Sequence, residues 1–165
     1  MRVQITKRAD GAGVLRCVRH DGSVTWQKQT DRHAAYFALH DLTHFAVETM
    51  LGFRRGFFGL IAEGWDIEDT TGKGARGPLP PEAGEAEMIV GLFSAEQASG
   101  VIWSVEEFNE FAEMKGTRLL TTDEIARVKK KRGELFRQWS AVAPGEMLEL
   151  QFAVPALTGR APGRG

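Results

Sequence analysis

The longest stretch with an uninterrupted helical pattern is Arg32-His-Ala-Ala-Tyr-Phe-Ala-Leu-His-Asp-Leu-Thr-His-Phe-Ala-Val-Glu-Thr-Met-Leu-Gly52. Thr30-Asp31 supplies an N-cap in front of it, and Gly52 stands where a helix commonly ends. On a helical wheel, about two-thirds of the circumference is apolar, which is typical of a helix buried in a core. The sequence therefore predicts a central helix over residues 32–51.

The ionisable side chains of this helix beyond Arg32 fall on one narrow face. His40, His44 and Glu48 follow one another at intervals of four residues, which places them on successive turns. Two histidines at this spacing are how a zincin helix presents two imidazoles to one zinc ion. We therefore predict that His40 and His44 bind a divalent transition metal, zinc before others. Glu48 is predicted to be a third ligand, a carboxylate that orients a ligand, or the catalytic general base on metal-bound water.

Further ligands are expected from outside this trio, because His40 and Glu48 are about 12 Å apart along an ideal helix. Glu87 precedes a face of small residues, from Gly91 to Ala98, that would let its helix approach another closely. Each acid taken alone is more commonly a solvated surface group, and a polar face on a half-exposed helix is the alternative to a metal site. The candidate ligands are His33, Asp41, Glu63, Asp66, Glu68, Asp69 and Glu87.

The same helix and the turn after it resemble a known pattern. His40-Asp-Leu-Thr-His-Phe-Ala-Val-Glu48 is followed by Leu51-Gly-Phe-Arg-Arg-Gly-Phe-Phe-Gly59. This segment resembles a family of uncharacterised bacterial proteins that share an H-D-x-x-H-x-x-V-E helix followed by L-G-x-x-x-G-F-x-G. The resemblance implies that the helix and the Gly-rich turn form one unit, and it implies no activity.

The rest of the chain predicts an α+β fold, with a small antiparallel sheet packed against four or five helices. Three short N-terminal strands, through Trp26, form a meander, and a strand over 146–152 returns to it. Helices are expected over 57–63 and 82–99, and the capping boxes Ser104-Val-Glu-Glu107 and Thr121-Thr-Asp-Glu124 start two more. The Gly- and Pro-rich residues 64–81 are expected to be an ordered loop or flap beside the site. We expect one domain over residues 1–157 and a disordered tail over residues 158–165.

Composition excludes several classes of protein. With 42% hydrophobic and 26% charged residues and a net charge of −1, the chain is not a disordered or collagen-like polymer. A lone cysteine, Cys17, excludes an intramolecular disulfide. No apolar run approaches the roughly 18 residues of a membrane span, and the first ten residues lack the apolar segment of a signal peptide. We therefore expect a cytoplasmic protein without membrane contact.

Charge is segregated along the second half of the chain. Residues 77–114 contain glutamates but no lysine or arginine, and a basic run, Lys129-Lys-Lys-Arg132, follows. Such a run can bind phosphate backbones, but no nucleic-acid motif accompanies it, and the acidic helices could neutralise it. Nucleic-acid binding is therefore disfavoured.

Two functional hypotheses follow. The first is a metal-binding protein and, more narrowly, a metal-dependent hydrolase acting on an unidentified small molecule. The alternative is a non-enzymatic interaction domain that uses its acidic and basic faces. The sequence leaves a homo-oligomer open.

Overall fold

A computed structural model of the chain describes residues 1–28, 34–74 and 76–154. These residues form an α+β fold, as predicted, with a four-stranded antiparallel sheet and five α-helices. The strands are β1 (Arg2–Lys7), β2 (Gly13–Val18), β3 (Val24–Lys28) and β4 (Met147–Gln151). The helices are α1 (Ala34–Leu51), α2 (Phe57–Ala62), α3 (Pro81–Ser99), α4 (Val105–Lys115) and α5 (Thr122–Ala141). The predicted N-cap Thr30-Asp31, the candidate ligand His33 and the predicted tail lie outside the described residues.

The sheet has the order β3-β2-β1-β4, so the C-terminal strand pairs with the N-terminal one, as the sequence predicts. In the register of the central strands, Val3 lies opposite Cys17 and Ile5 opposite Leu15. All four of these side chains are buried on the face that meets the helices. Burial raises the pKa of Cys17 to about 12, so its thiol stays protonated at neutral pH.

Helix α1 lies at the centre of the helical layer, between α5 and α3, and it also contacts β2. Its apolar side chains Leu42, Phe45 and Val47 are buried in the main hydrophobic core. The predicted central helix is therefore confirmed over the described residues. Its burial extends to the ionisable face, because His44 and Glu48 are 4% and 0% exposed.

Both predicted capping boxes start helices. Ser104 Oγ accepts a hydrogen bond from the backbone N–H of Glu107, and Thr121 Oγ1 accepts one from that of Glu124. Each glutamate in turn accepts a hydrogen bond from the backbone N–H of its N-cap residue. The starts of α4 and α5 therefore follow from local sequence alone.

The segment between α2 and α3 contains a short 3-10 helix, Ile67–Thr71, where the sequence indicated an ordered loop or flap. This helix is attached to the sheet at two points. The backbone N–H of Ile67 donates to Thr25 Oγ1 on β3, at 3.1 Å. The guanidinium of Arg19, 8% exposed, donates to the carbonyl oxygens of Ile61 and Trp65 and to the Asp66 carboxylate.

None of the helices in the described parts of the chain is long and apolar enough to cross a membrane.

Candidate metal centre

Two helices bring a pair of histidines and one glutamate together. His40 and His44 are one turn apart on α1, and Glu87 reaches them from α3. Glu87 Oε2 lies 2.9 Å from His44 Nε2, and Glu87 Oε1 lies 3.8 Å from His40 Nε2. One ligand atom from each residue lies within 4.8 Å of the other two. This group of two imidazoles and one carboxylate could therefore hold a metal ion.

Glu48 faces Nδ1 of the His44 ring, whereas Glu87 faces Nε2 of the same ring. One carboxylate oxygen, Oε2, accepts hydrogen bonds from the backbone N–H groups of Phe58 and Gly59, at 3.0 and 3.1 Å. The other oxygen, Oε1, lies 3.4 Å from His44 Nδ1. Glu48 thus joins the ring of His44 to the first turn of α2, and the structure does not place it in the group of His40, His44 and Glu87.

The Gly-rich turn between α1 and α2 is shaped around this carboxylate. Gly52 ends α1 with a φ of +78°, a conformation that L side chains rarely adopt. A Cβ atom on Gly56 would lie 2.5 Å from Glu48 Cδ, so a side chain at position 56 would displace the carboxylate. Glu82 of α3 closes the turn by accepting hydrogen bonds from the backbone N–H groups of Arg54 and Arg55. Gly56 is therefore needed to bury Glu48 against α2, whereas Gly52 is needed for the end of α1.

The charges of the group are coupled. Burial lowers the pKa of His44, but the carboxylates of Glu48 and Glu87 outweigh it and raise that pKa to about 9. Burial, together with the charge on His44, holds the pKa of His40 below its usual value. The hydrogen bond from His44 lowers the pKa of Glu87. In the metal-free protein at pH 7, a protonated His44 therefore lies between two carboxylates, beside a neutral His40.

Two of the cavities that border these residues have both His40 and Glu87 in their walls. The polar cavity, about 210 Å³, contains both imidazoles and Glu87 together with Gln27, Asp41, Thr70 and Thr71 in its walls. A second cavity, about 430 Å³, is the α1–α3 groove, which is mostly apolar. Its walls are Tyr36, Phe37, His40, Glu87, Gly91, Ser94, Ala95 and Ala98. His40 and Glu87 border both spaces, so an ion held there would be reachable from either side.

Asp41 faces the polar cavity without a position in the group of three. It is half-buried, and burial raises the pKa of its carboxyl to about 7, against the charge of His44. Its short side chain follows His40 directly in the chain. Asp41 is therefore a carboxyl group next to the candidate metal centre whose protonation changes near neutral pH.

The four remaining candidate carboxylates, all among the described residues, do not belong to the group of His40, His44 and Glu87. Glu63 pairs with Arg55 at 3.0 Å, and Asp66 pairs with Arg19. Glu68 is exposed on the 3-10 helix, and Asp69 lies 3.9 Å from Arg76. Of the carboxylates proposed from the sequence as further ligands, Glu87 is the one that joins both histidines.

Some polar residues of this region were not expected from the sequence. Gln27 and Thr25 lie two residues apart on β3, so their side chains are on the same face of the sheet. Both point towards the helices, where most residues of a sheet are apolar. Two polar residues at alternate positions of a predicted strand are a signal that could have identified this wall. Thr70 and Thr71 carry no comparable signal, since their placement depends on the packing of the 3-10 helix.

The segregated charges are partly paired inside the molecule. Glu96 of α3, 5% exposed, lies 2.5 Å from Lys129 Nζ and 3.9 Å from Arg132 of α5. Arg118 pairs with both Glu85 and Glu124. Two of the four charges in the basic run therefore have an internal partner.

In comparisons with known proteins, the chain matches no protein-family profile, no curated protein and no solved structure.

Proposed function

We propose that the protein binds a single zinc ion through His40, His44 and Glu87 and that it is a zinc-dependent hydrolase. The proposal rests on one observation, the convergence of two Nε2 atoms and a carboxylate from two helices beside two cavities. Zinc bonds of about 2.0–2.1 Å require ligand atoms about 3.4 Å apart, so the group needs to contract by about an ångström. Glu87, whose side chain is 60% exposed, has the freedom to move.

Glu48 is given the role of positioning residue in this proposal. A histidine that binds a metal through Nε2 normally donates its Nδ1–H to a carboxylate, which orients the ring. Glu48 Oε1 is the carboxylate oxygen nearest to His44 Nδ1, and it also accepts a hydrogen bond from the backbone N–H of Phe58, while Gly59 N–H donates to Oε2. Its complete burial and its two backbone hydrogen bonds argue against its acting as the general base on water.

Hydrolysis is supported by the number of ligands within the described parts of the chain, which is three. A zinc ion with three protein ligands keeps one position for water, whose pKa it lowers towards 7. Asp41 is the carboxylate in the wall of the polar cavity that could accept a proton there. The alternative of an interaction domain based on charged faces loses support, because part of that charge is paired internally.

The test is a zinc titration of metal-free, untagged protein in competition with a chromophoric chelator. We expect one zinc per chain, with binding abolished in His44→Ala and weakened at least about tenfold in Glu87→Gln. Glu85→Gln is the matched control, because Glu85 lies on the same helix and pairs with Arg118 instead. Zinc binding that is equally strong in the wild type and in His44→Ala would overturn the proposal. Tighter binding of Fe²⁺ than of zinc would overturn the choice of metal, since two histidines and one carboxylate also form iron sites.

A further inference from the structure

Two glycines of α3 have no explanation in the fold. Gly84 and Gly91 lie in the interior of the helix, one turn before and one turn after Glu87. Glycine destabilises a helix interior relative to alanine. Neither glycine is among the described residues with positive φ, and a Cβ atom added to either would meet nothing within 4 Å. Neither backbone conformation nor packing therefore requires them.

Both glycines border the space around the candidate metal centre. Gly91 forms part of the floor of the α1–α3 groove, next to His40 and Glu87. Gly84 borders a cavity on the other side of Glu87, about 370 Å³, which it shares with His44 and Thr70. The missing side chains leave the surface of α3 open on both sides of the carboxylate. Each of the two cavities therefore extends to the backbone of α3.

The two sides of the centre differ in chemistry. On the Gly91 side, the floor continues with Ala95 and Ala98, and the ring of Tyr36, 51% exposed, stands opposite. Tyr36 is stacked on His40 with ring centroids 6.0 Å apart. A flat floor of glycine and alanine facing an aromatic ring matches the shape of a planar apolar group. The polar cavity on the other side contains the amide of Gln27 and the hydroxyl oxygens of Thr70 and Thr71, whose protons are donated to the carbonyl oxygens of Ile67 and Glu68.

From these features we infer the ligand class of the site: an aryl or acyl compound whose carbonyl-type oxygen binds the metal, with its apolar part over Gly91 in the α1–α3 groove. This inference rests on the proposed function, since the metal anchors the oxygen. The amide of Gln27 would bind the polar remainder of such a compound, and Thr70 Oγ1 could accept a hydrogen bond from it. An aromatic or aliphatic amide or ester has this division into an apolar part and a polar part.

The test uses two hydroxamates that bind zinc through the same group. Benzohydroxamate carries a phenyl ring, and acetohydroxamate carries a methyl group. We expect zinc-loaded protein to bind benzohydroxamate about tenfold or more tightly than acetohydroxamate, after correction for their affinities for free zinc, because the groove buries the ring. Gly91→Leu should remove this preference and leave acetohydroxamate binding unchanged.

Gly91→Ala and Gly133→Ala form a matched pair of controls. Gly133 is also inside a helix, and its Cβ would meet only the end of the flexible Arg137 side chain, at 3.6 Å. Both substitutions should raise the denaturation midpoint, and Gly91→Ala alone should weaken benzohydroxamate binding. Equal corrected affinities of the two hydroxamates in zinc-loaded protein would overturn the inferred ligand class while leaving the zinc site intact. Failure to load zinc at all would instead overturn the proposed function.

Discussion

Glu48 connects three parts of the molecule through one carboxylate. It belongs to α1, it accepts the first free N–H groups of α2, and it lies 3.4 Å from the ring of His44. A fully buried charge is costly unless hydrogen bonds and opposite charges surround it. The protonated His44 and the two N–H groups of α2 supply these partners. The position of His44 and the packing of α2 therefore depend on the same side chain.

Glu48→Gln tests this positioning role. Glutamine has nearly the same shape but no charge, so we expect zinc affinity to fall about 10- to 100-fold with one zinc per chain retained. The free energy of unfolding should fall by about 1–3 kcal/mol. The reason is that an NH₂ group, which donates hydrogen bonds, replaces one accepting oxygen of the Glu48 carboxylate. Chelator competition and urea denaturation measure the two effects, and Glu63→Gln serves as the exposed control. Complete loss of zinc at saturating concentration would show that Glu48 is itself a ligand.

His44 should make the stability of the metal-free protein depend on pH. Its pKa is about 9 in the folded protein and about 6.5 in an unfolded chain, so the folded state holds this proton more tightly. Its contribution is complete below pH 6.5 and is lost as the pH rises through 9. We expect the free energy of unfolding to decrease by about 2 kcal/mol between pH 7 and pH 9. Urea titrations in EDTA measure this free energy at each pH. If it decreased with pH equally steeply in His44→Gln, the pH dependence would not be due to His44.

At the scale of elements, the turn between α1 and α2 leaves the space that the buried carboxylate of Glu48 occupies. Gly52 supplies the positive φ that ends α1, whereas Gly56 supplies the missing side chain against which Glu48 packs. The two glycines therefore have different tasks within five residues of chain. Their substitution should separate the stability of the turn from the geometry of the metal centre.

Gly56→Ala and Gly52→Ala form the corresponding test. Alanine at position 56 would collide with Glu48, so we expect a loss of about 1–3 kcal/mol in stability together with weaker zinc binding. Alanine at position 52 meets no atom within 4 Å and is strained only by its φ, at a cost of about 1 kcal/mol. Zinc affinity should remain at the wild-type value in Gly52→Ala. Equal losses of zinc affinity in the two variants would contradict a specific role of Gly56 in placing the Glu48 carboxylate.

At the scale of the whole molecule, the candidate ligands connect α1 to α3, which belong to the same core. Because an ion that binds only the folded state stabilises it by mass action, zinc at a hundred times its dissociation constant should add about 2.7 kcal/mol to the free energy of unfolding. Thermal or urea denaturation with and without zinc measures this gain, which EDTA should reverse. No gain is expected in His40→Ala/His44→Ala, and a gain of wild-type size there would place the ion elsewhere.

The features that could be predicted from the sequence are those set by neighbours along the chain. The 3.6-residue period and capping residues defined α1, α4 and α5, and the four-residue spacing put His40 and His44 on one face. The role of Glu48 could not be chosen among its alternatives, because it depends on how the Gly-rich turn folds back over α1. Glu87 was one of several candidate acids, because its approach to the histidines requires the docking of α3 on α1.

The attachment of the 3-10 helix to the sheet bears on how a ligand would enter. Arg19 donates to three oxygen atoms in the residues that precede the 3-10 helix. Thr25 Oγ1 accepts a hydrogen bond from Ile67, the first residue of that helix. The wall that contains Thr70 and Thr71 is thus attached at the N-terminal end of its helix, and we expect it to keep its position when a ligand binds. A ligand could then reach the metal from the polar cavity or from the α1–α3 groove without a loop motion, so diffusion would govern the rate of ligand exchange.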